Sequence, residues 1–332
     1  MTNNQFKNTH TVLSELLESL QEFADSIDFY FDHVDDGEIL NPFLAGGKIN
    51  VLGNNEVLPP EFFNGFGIRT LILDTLHGRL SLSERSFIDN MNTDASVFKW
   101  RVLKSNLVME DLRMLFKNSQ IVEFGNWSDV KNASDLWDNL RRDVINPLKR
   151  NDFHFIFYLG DTSTKFVFEI DEILDIIGDF SLHGSVTLVL EEQHAINLWS
   201  ILYGRDARSE ISNFQSLSEK CHSLFDLMDI RHLIIDSFPA TLVFSAQQQF
   251  EITVRKNSRI VIDNRKHFDA GYMLGLILKF DISHAVALGL ALEGLCAGSA
   301  YKPNARMLLS YIGKWIEEIE FFKPEERALS VA

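Results

Sequence analysis

The strongest chemical signal in this 332-residue chain is a run of four polar residues, Asp263, Asn264, Arg265 and Lys266. His267, Phe268, Asp269, Ala270 and Gly271 follow directly, and then a wholly apolar stretch. A polar cluster ahead of an apolar run reads as the start of a helix. Arg265 and Lys266, with Asn264 beside them, could hold an anion there, helped by the free N–H groups of the first turn. Asp263 and Asp269 are the neighbouring carboxylates that could accept a proton. The plainer reading makes Asp263 a helix cap, Asp269 a solvated or dipole-favoured first-turn carboxylate and the two cations members of surface ion pairs.

A second cluster, Glu191, Glu192 and His194, combines oxygen and nitrogen donors within four residues. Its spacing lacks a third ligand, and glutamate at a helix start is structurally favourable, so no metal centre is expected. Asn126 and Trp127 close a strand-like segment and could line a ligand cleft, although tryptophan is equally a core filler. His154, His183, His222, His232 and His284 are scattered, with no H-E-x-x-H pattern. Nucleophile-elbow, Walker A and dinucleotide-fingerprint motifs are also missing.

Composition narrows the classes further. A formal charge of −16 argues against nucleic acid as a partner, because that contact relies on clustered Lys and Arg. It leaves room for a small phosphorylated ligand held by a few local donors. The two cysteines, Cys221 and Cys296, offer neither a disulfide framework nor metal spacing, which points to a reducing, cytoplasmic setting. Residues 1–10 lack the pattern of a signal peptide. Ala270 to Leu278, an apolar run that contains Gly271 and Gly275 as G-x-x-x-G, is too short for a membrane span and reads as tight helix packing. No membrane partner is expected. The 27 phenylalanines should mostly be buried, given the apolar area each ring removes from water.

These residues need a frame. Residues 11–26 carry apolar side chains at helical spacing, and 26–34 alternate like a strand. The Gly-, Asn- and Pro-rich segment from 35 to 67 reads as loops around short strands. Ile68–Leu73 suits a buried parallel strand, and 96–103 a half-exposed one. From residue 109 onwards helices and strands alternate regularly, which implies βαβ units and a parallel sheet covered on both faces. Ligands in such sheets bind outside the carboxyl ends of the strands. A single domain spanning 1–332 is expected, without repeats or charged linkers.

Several of these segments together resemble a known family. Phe268, Ala270 and Gly271, the Asn126-Trp127 strand end, Asp161 after FHFIFYLG and the strand-helix pair SVTLVLEEQHAINL are similar to ribokinase-like (PfkB-type) carbohydrate kinases. The likeness is clear over about residues 110–315 and faint before that. It implies a ribokinase-like three-layer α/β/α sandwich, with a mostly parallel central sheet and a reduced β lid near 27–50 and 96–104. It implies a sugar-like or phosphorylated small-molecule partner, with pairing into a homodimer through the lid. It also implies ATP and Mg as cofactors if kinase activity is retained. Gly47 and Asn50 partly match the family's sugar-binding glycine-rich pattern, with Asn126 and Asp161 the other sugar-side candidates. Asn264, Arg265, Lys266, Gly271, Glu191 and His194 fall on the nucleotide side.

The departures lie where the chemistry should be. The family carries Gly-Ala-Gly-Asp before this helix, and its aspartate takes the proton of the sugar hydroxyl. Here Asp263, Asn264, Arg265 and Lys266 occupy those places. A protonated lysine cannot act as a general base, a role worth roughly 10²–10⁴-fold in rate. Arg265 puts a side chain where backbone must approach phosphate. The family's Asn-x-x-Glu, associated with its metal-phosphate network, becomes Glu191-x-x-His194. The resulting expectation is a kinase homologue with a degenerate active site, non-catalytic or weakly active, that binds or regulates. The alternative is an active carbohydrate or nucleoside kinase whose base has moved to Asp263 or Asp269.

Overall fold

The computed structural model describes residues 8–24, 27–28, 68–76, 79–82, 100, 109, 113, 116–117, 119–125, 127–129, 133–203, 216–255, 265–297 and 303–321. The chain divides into two compact units. One comprises Met1–Pro42, Phe238–Ala240 and Phe250–Ala332, the other Phe43–Ser237 and Thr241–Gln249. The expected glycine-rich strands at 35–67 lie outside the described residues, as does most of the expected lid.

The larger unit is built on a sheet. In chain order its strands are β1 (Ile68–Leu76), β2 (Arg79–Leu82), β3 (Ser119–Phe124), β4 (Phe153–Tyr158), β5 (Gly184–Glu191), β6 (His232–Asp236) and β7 (Ala240–Ser245). They lie in the order β2-β1-β3-β4-β5-β6-β7. The four strands β3 to β6 run parallel, with registers such as Phe124↔Phe157 and Glu191↔Asp236. Helices α2 (Ala133–Leu140), α3 (Val167–Asp179), α4 (Glu192–Leu202) and α5 (Leu217–Leu227) alternate with them. β1 departs from expectation: it pairs antiparallel with both β2 and β3. Only two residues separate it from β2, and so short a link can join antiparallel neighbours only.

Alternate residues of β3 to β7 enter one aromatic core. Phe124 stacks on Phe157 at 4.5 Å between centroids, and Trp137 and Phe180 meet Phe124 edge-on at 5.1 Å. Phe155 lies 5.0 Å from Phe180. The alternate residues Ile121, Ile156, Val189, Ile234 and Val243 are buried as well. Burial on both faces explains why β4 and β5 read as nearly continuous apolar runs.

The segment after α2 shows how a sequence breaker is absorbed. A single helix is expected over 133–150, and helical turns do continue to Leu148. The chain widens into a π turn over Arg141–Ile145, however, where the Asn146 N–H reaches back to the Arg141 carbonyl. Pro147 has no N–H to give the carbonyl four residues before it, that of Asp143. Arg113 supplies the missing donors instead, with Nη2 at 3.2 Å and Nε at 3.4 Å from that oxygen. Trp100 Nε1 donates to the Asp143 carboxylate at 2.7 Å. Trp100 itself is helical, so the strand expected over 96–103 is corrected at that residue.

The smaller unit is helical around one strand: α1 (Thr9–Glu22), β8 (Gln249–Thr253), α6 (Arg265–Ile277), α7 (Ile282–Cys296) and α8 (Ala305–Phe321). Asn8 caps α1 by accepting from Thr11 N at 2.9 Å. Ile27 and Asp28 are helical, with Ile27 N bonded to Phe23 O at 2.9 Å, which corrects the strand expected there. Thr9 Oγ1 accepts from Thr253 N at 2.9 Å and so ties α1 to β8. Arg255 pairs with Glu318 and lies 4.6 Å over the Tyr311 ring.

α6 and α7 approach closely because small residues line their contact. A Cβ added at Gly271 would stand 2.6 Å from the Leu288 carbonyl oxygen, and one at Gly275 would stand 2.6 Å from Ala285 Cα. This is the tight packing anticipated for G-x-x-x-G. No helix among the described residues is long and apolar enough to cross a membrane. The two cysteines are both buried, Cys221 in the larger unit and Cys296 in the smaller, and burial pushes both thiols up to about 12.

Candidate active site

Because β3 to β6 are parallel, their carboxyl ends emerge on one edge of the larger unit, the edge where ligands bind in such sheets. The segments leaving that edge carry some of the chemistry-bearing residues picked from the sequence. Trp127 follows β3, Asp161 follows β4, Glu191 ends β5, and Asp236 ends β6. Ser128 N donates to Leu159 O at 2.9 Å and joins the first two of these segments. Gly160, with φ of 69°, turns the chain sharply out of β4 in a conformation that favours glycine. Asp161 comes next and is exposed.

The Asp161 carboxylate accepts from Ser163 N at 2.9 Å. Its pKa is lowered, first by that backbone bond and the Ser163 hydroxyl, then by the His194 charge. Asp161 is therefore ionised and oriented at neutral pH. His194 stands in the first turn of α4, 4.0 Å from the Glu191 carboxylate, which belongs to the residue preceding the helix. Gln193 Nε2 donates to Asn197 Oδ1 at 2.9 Å along the same helix.

The structure places Glu191 and His194 together at the start of α4 and sets Asp161 within electrostatic reach of His194, and it adds Asp236 at the end of β6, which sequence reasoning missed. The signal was there: RHLIID reads as a strand that closes on this aspartate, at the end where parallel strands present ligand contacts. Trp127 is buried, its indole N–H given to Ser134 Oγ at 3.0 Å and its ring covered by Lys165 Nζ at 4.7 Å.

Asp263, Asn264, Arg265, Lys266, Asp269 and Gly271 belong to the smaller unit. Arg265 and Lys266 are the first two residues of α6, as expected for a helix start there. His267 and Asp269 are buried in its first turns, at 7% and 3% exposure. Burial corrects the plainer sequence reading of Asp269 as a solvated carboxylate: its turn of the helix faces inward, with Phe268 and Tyr272 stacked at 5.9 Å. Gly271 sits at the α6–α7 contact. Asp263, Asn264, Asn126, Gly47 and Asn50 lie outside the described residues.

A Mg-phosphate network of the kinase type makes a specific demand on this donor set. Magnesium takes oxygen ligands in near-octahedral geometry. Here His194 offers nitrogen at one of the two positions, and Glu191 is engaged with it. No three His, Cys, Asp or Glu side chains converge as a metal group among the described residues. These residues do not fit a network of that kind.

The larger unit is thus an α/β fold with a parallel-centred sheet and polar residues at its carboxyl edge. The model of the prokaryotic ketohexokinase family matches residues 82–313, most of the chain. The chain belongs to that family, as a divergent member of the ribokinase-like carbohydrate kinases, and its fold is the ribokinase-like α/β fold. Solved structures similar to it include a ribokinase from Thermotoga maritima, at 12% identity and a TM-score of 0.42, over 66% of this chain and 60% of that one. An adenosine kinase from Sinorhizobium meliloti gives 14% and 0.44, over 61% and 56%. Arabidopsis thaliana ribokinase, complexed with ribose and ATP, gives 13% and 0.42, over 61% and 58%. The chain thus spans about three fifths of the length of these structures. No curated protein matches significantly.

Proposed function

We propose that this chain binds a sugar-like small molecule and has weak or absent phosphotransfer activity, acting as a binding or regulatory protein of sugar-kinase descent. The carrying observation is Lys266 in the first turn of α6, at the place where the family resemblance puts the proton-accepting aspartate. Losing a general base lowers a rate by roughly 10²–10⁴-fold. Asp269, the described carboxylate one turn away, is 3% exposed, which suits a structural role better than contact with a substrate hydroxyl. The Glu191–His194 pair in place of Asn-x-x-Glu supports the same reading. Two buried free thiols fit a cytoplasmic protein, and association into a homodimer belongs to the proposal.

Incubation with Mg-ATP and a panel of sugars and nucleosides, D-fructose included, is expected to release no substrate-dependent ADP. Robust turnover that Asp263→Asn or Asp269→Asn abolishes would establish the opposite, an active kinase with a relocated base.

A further inference from the structure

We infer that α3 presents a docking surface for a basic protein segment with an apolar anchor. The exposed rings of Phe166 and Phe168 take the anchor, and the carboxylates of Asp171, Glu172 and Asp175 take its cations. The surface lies on the outward face of the helix and serves this role whether or not phosphotransfer persists.

Phe166, Val167 and Phe168 are 67%, 49% and 68% exposed in succession. The other exposed large apolar side chains among the described residues, Leu182, Tyr203, Leu227 and Phe238, stand singly, and single ones are ordinary. Three in a row are not. Helix formation does not explain them either. Phe166 is the N-cap of α3, a place where Ser, Thr, Asp or Asn would accept a hydrogen bond from the first turn, and its ring can accept none. The cap is served only from the other side, by Glu169, whose carboxylate accepts from Phe166 N at 2.9 Å. The Phe166 ring lies instead on Phe168, at 5.6 Å between centroids and 9° between planes, so two exposed rings form one flat ledge. A local rule broken without structural gain marks a functional place. Because the ledge is already assembled, docking on it orders few side chains and costs little entropy.

The charges along the helix select the partner. Phe168, Asp171, Glu172 and Asp175 recur at i, i+3, i+4 and i+7, so they share one face of α3, opposite the buried Ile170, Ile173 and Ile177. No ion pair holds Asp171, Glu172 or Asp175 among the described residues, whereas Asp179, further along, is tied to Arg141 at 2.7 Å. Lys165, just before the ledge, has its ammonium over the Trp127 ring. Phe168 and Asp175 are seven residues apart, about 10 Å along the helix. A partner therefore needs Lys or Arg within that distance of its anchor, as on one face of a two-turn helix. The same carboxylates repel nucleic acid and anionic membranes. An isologous contact with a second copy would set them against themselves.

The test uses a synthetic amphipathic peptide, with tryptophan and leucine on one face and lysines one and two turns away, and surface plasmon resonance on the full chain. Phe166→Ser with Phe168→Ser is expected to weaken binding about tenfold or more, chiefly through faster dissociation, as when an aromatic anchor is lost. Asp171→Asn with Glu172→Gln and Asp175→Asn is expected to slow association and to flatten its salt dependence. A peptide with glutamates in place of the lysines is expected not to bind. Binding that survives both sets of substitutions, or that tolerates the glutamate peptide, overturns the inference, as does a wild type that ignores the lysine peptide. Phe166→Ser alone should leave the urea midpoint at or above that of the wild type, since serine can cap α3. A lowered midpoint would make the ring a structural one and end the docking role. Sedimentation, alone and with phosphatidylcholine–phosphatidylserine vesicles, addresses the competing occupants. A dimer or a vesicle complex that the two serines abolish would give the surface to a second copy or to a membrane, and overturn the basic partner.

Discussion

Gly271→Val is expected to destabilise the protein by about 3 kcal/mol or more, the upper end of what overpacking a helix contact costs. A Cβ there would lie 2.6 Å from the Leu288 carbonyl oxygen and 2.8 Å from Gly289 Cα. Both are backbone atoms of α7, so no rotamer change can make room for it. α7 has little freedom to retreat, because it is buried almost all round, from Ile282 to Leu292. Gly313 in α8 provides the control: nothing lies within 4 Å of a Cβ added there. Gly313→Ala should stabilise by roughly 0.5–1 kcal/mol, through the lower entropy cost of alanine in a helix. Urea unfolding of the two variants should show midpoints moving in opposite directions. A Gly271→Val protein as stable as the wild type would mean that the two helices are not in tight contact.

Acid should weaken the protein through His232, which sits at the amino end of β6 with Nδ1 3.4 Å from Thr187 Oγ1. Burial above all, then the charges of Arg231 and His154, brings its pKa down to about 3 from an ordinary 6.5. His154 is lowered too, by burial and then by Arg231, while Asp152 opposes the shift. Asp152 is already held by Arg150, at 2.8 Å to Nε and 3.0 Å to Nη2. The sign follows from where protons bind. Below 6.5 the unfolded chain takes up a proton that the folded imidazole refuses until about pH 3, so stability falls as pH drops through that window. The slope is roughly 1.4 kcal/mol per pH unit for one such group. Unfolding measured at pH 7, 6 and 5 should show this loss in the wild type and a flatter profile in His232→Gln. Parallel profiles would remove His232 as the cause.

Much of the fold was legible because burial writes itself into residue type. FHFIFY and SVTLVL read as strands buried on both faces, and they are. The helical spacing of α1 was equally plain, and so was the alternation of helices and strands that places α2 to α5. What escaped depended on partners distant in sequence. β1 has the apolar content of a central strand, and nothing within it says that its neighbours run antiparallel. Nothing in RRDVINP announces a π turn either, because the donor that makes Pro147 tolerable comes from Arg113, thirty residues before Asp143. At the candidate site, Asp161 and the Glu191–His194 pair were visible as residue types in family-like places. Asp236 was not, since an aspartate closing a strand is ordinary until the order and direction of its neighbours are known. The solvated place read for Asp269 failed for a related reason: helical spacing puts it on the same face as Phe268 and Tyr272 only loosely, and burial by packing decided the matter.

The two cysteines carry a consequence for how this protein's motions can be followed. Cys221 lies in one unit and Cys296 in the other, both shielded, and both reluctant to form the thiolate that reacts. A thiol-specific reagent therefore reacts at either position only while the surrounding structure is transiently open. Each unit carries its own clock of opening, and peptide mapping after timed labelling reads the two clocks separately without any residue being changed.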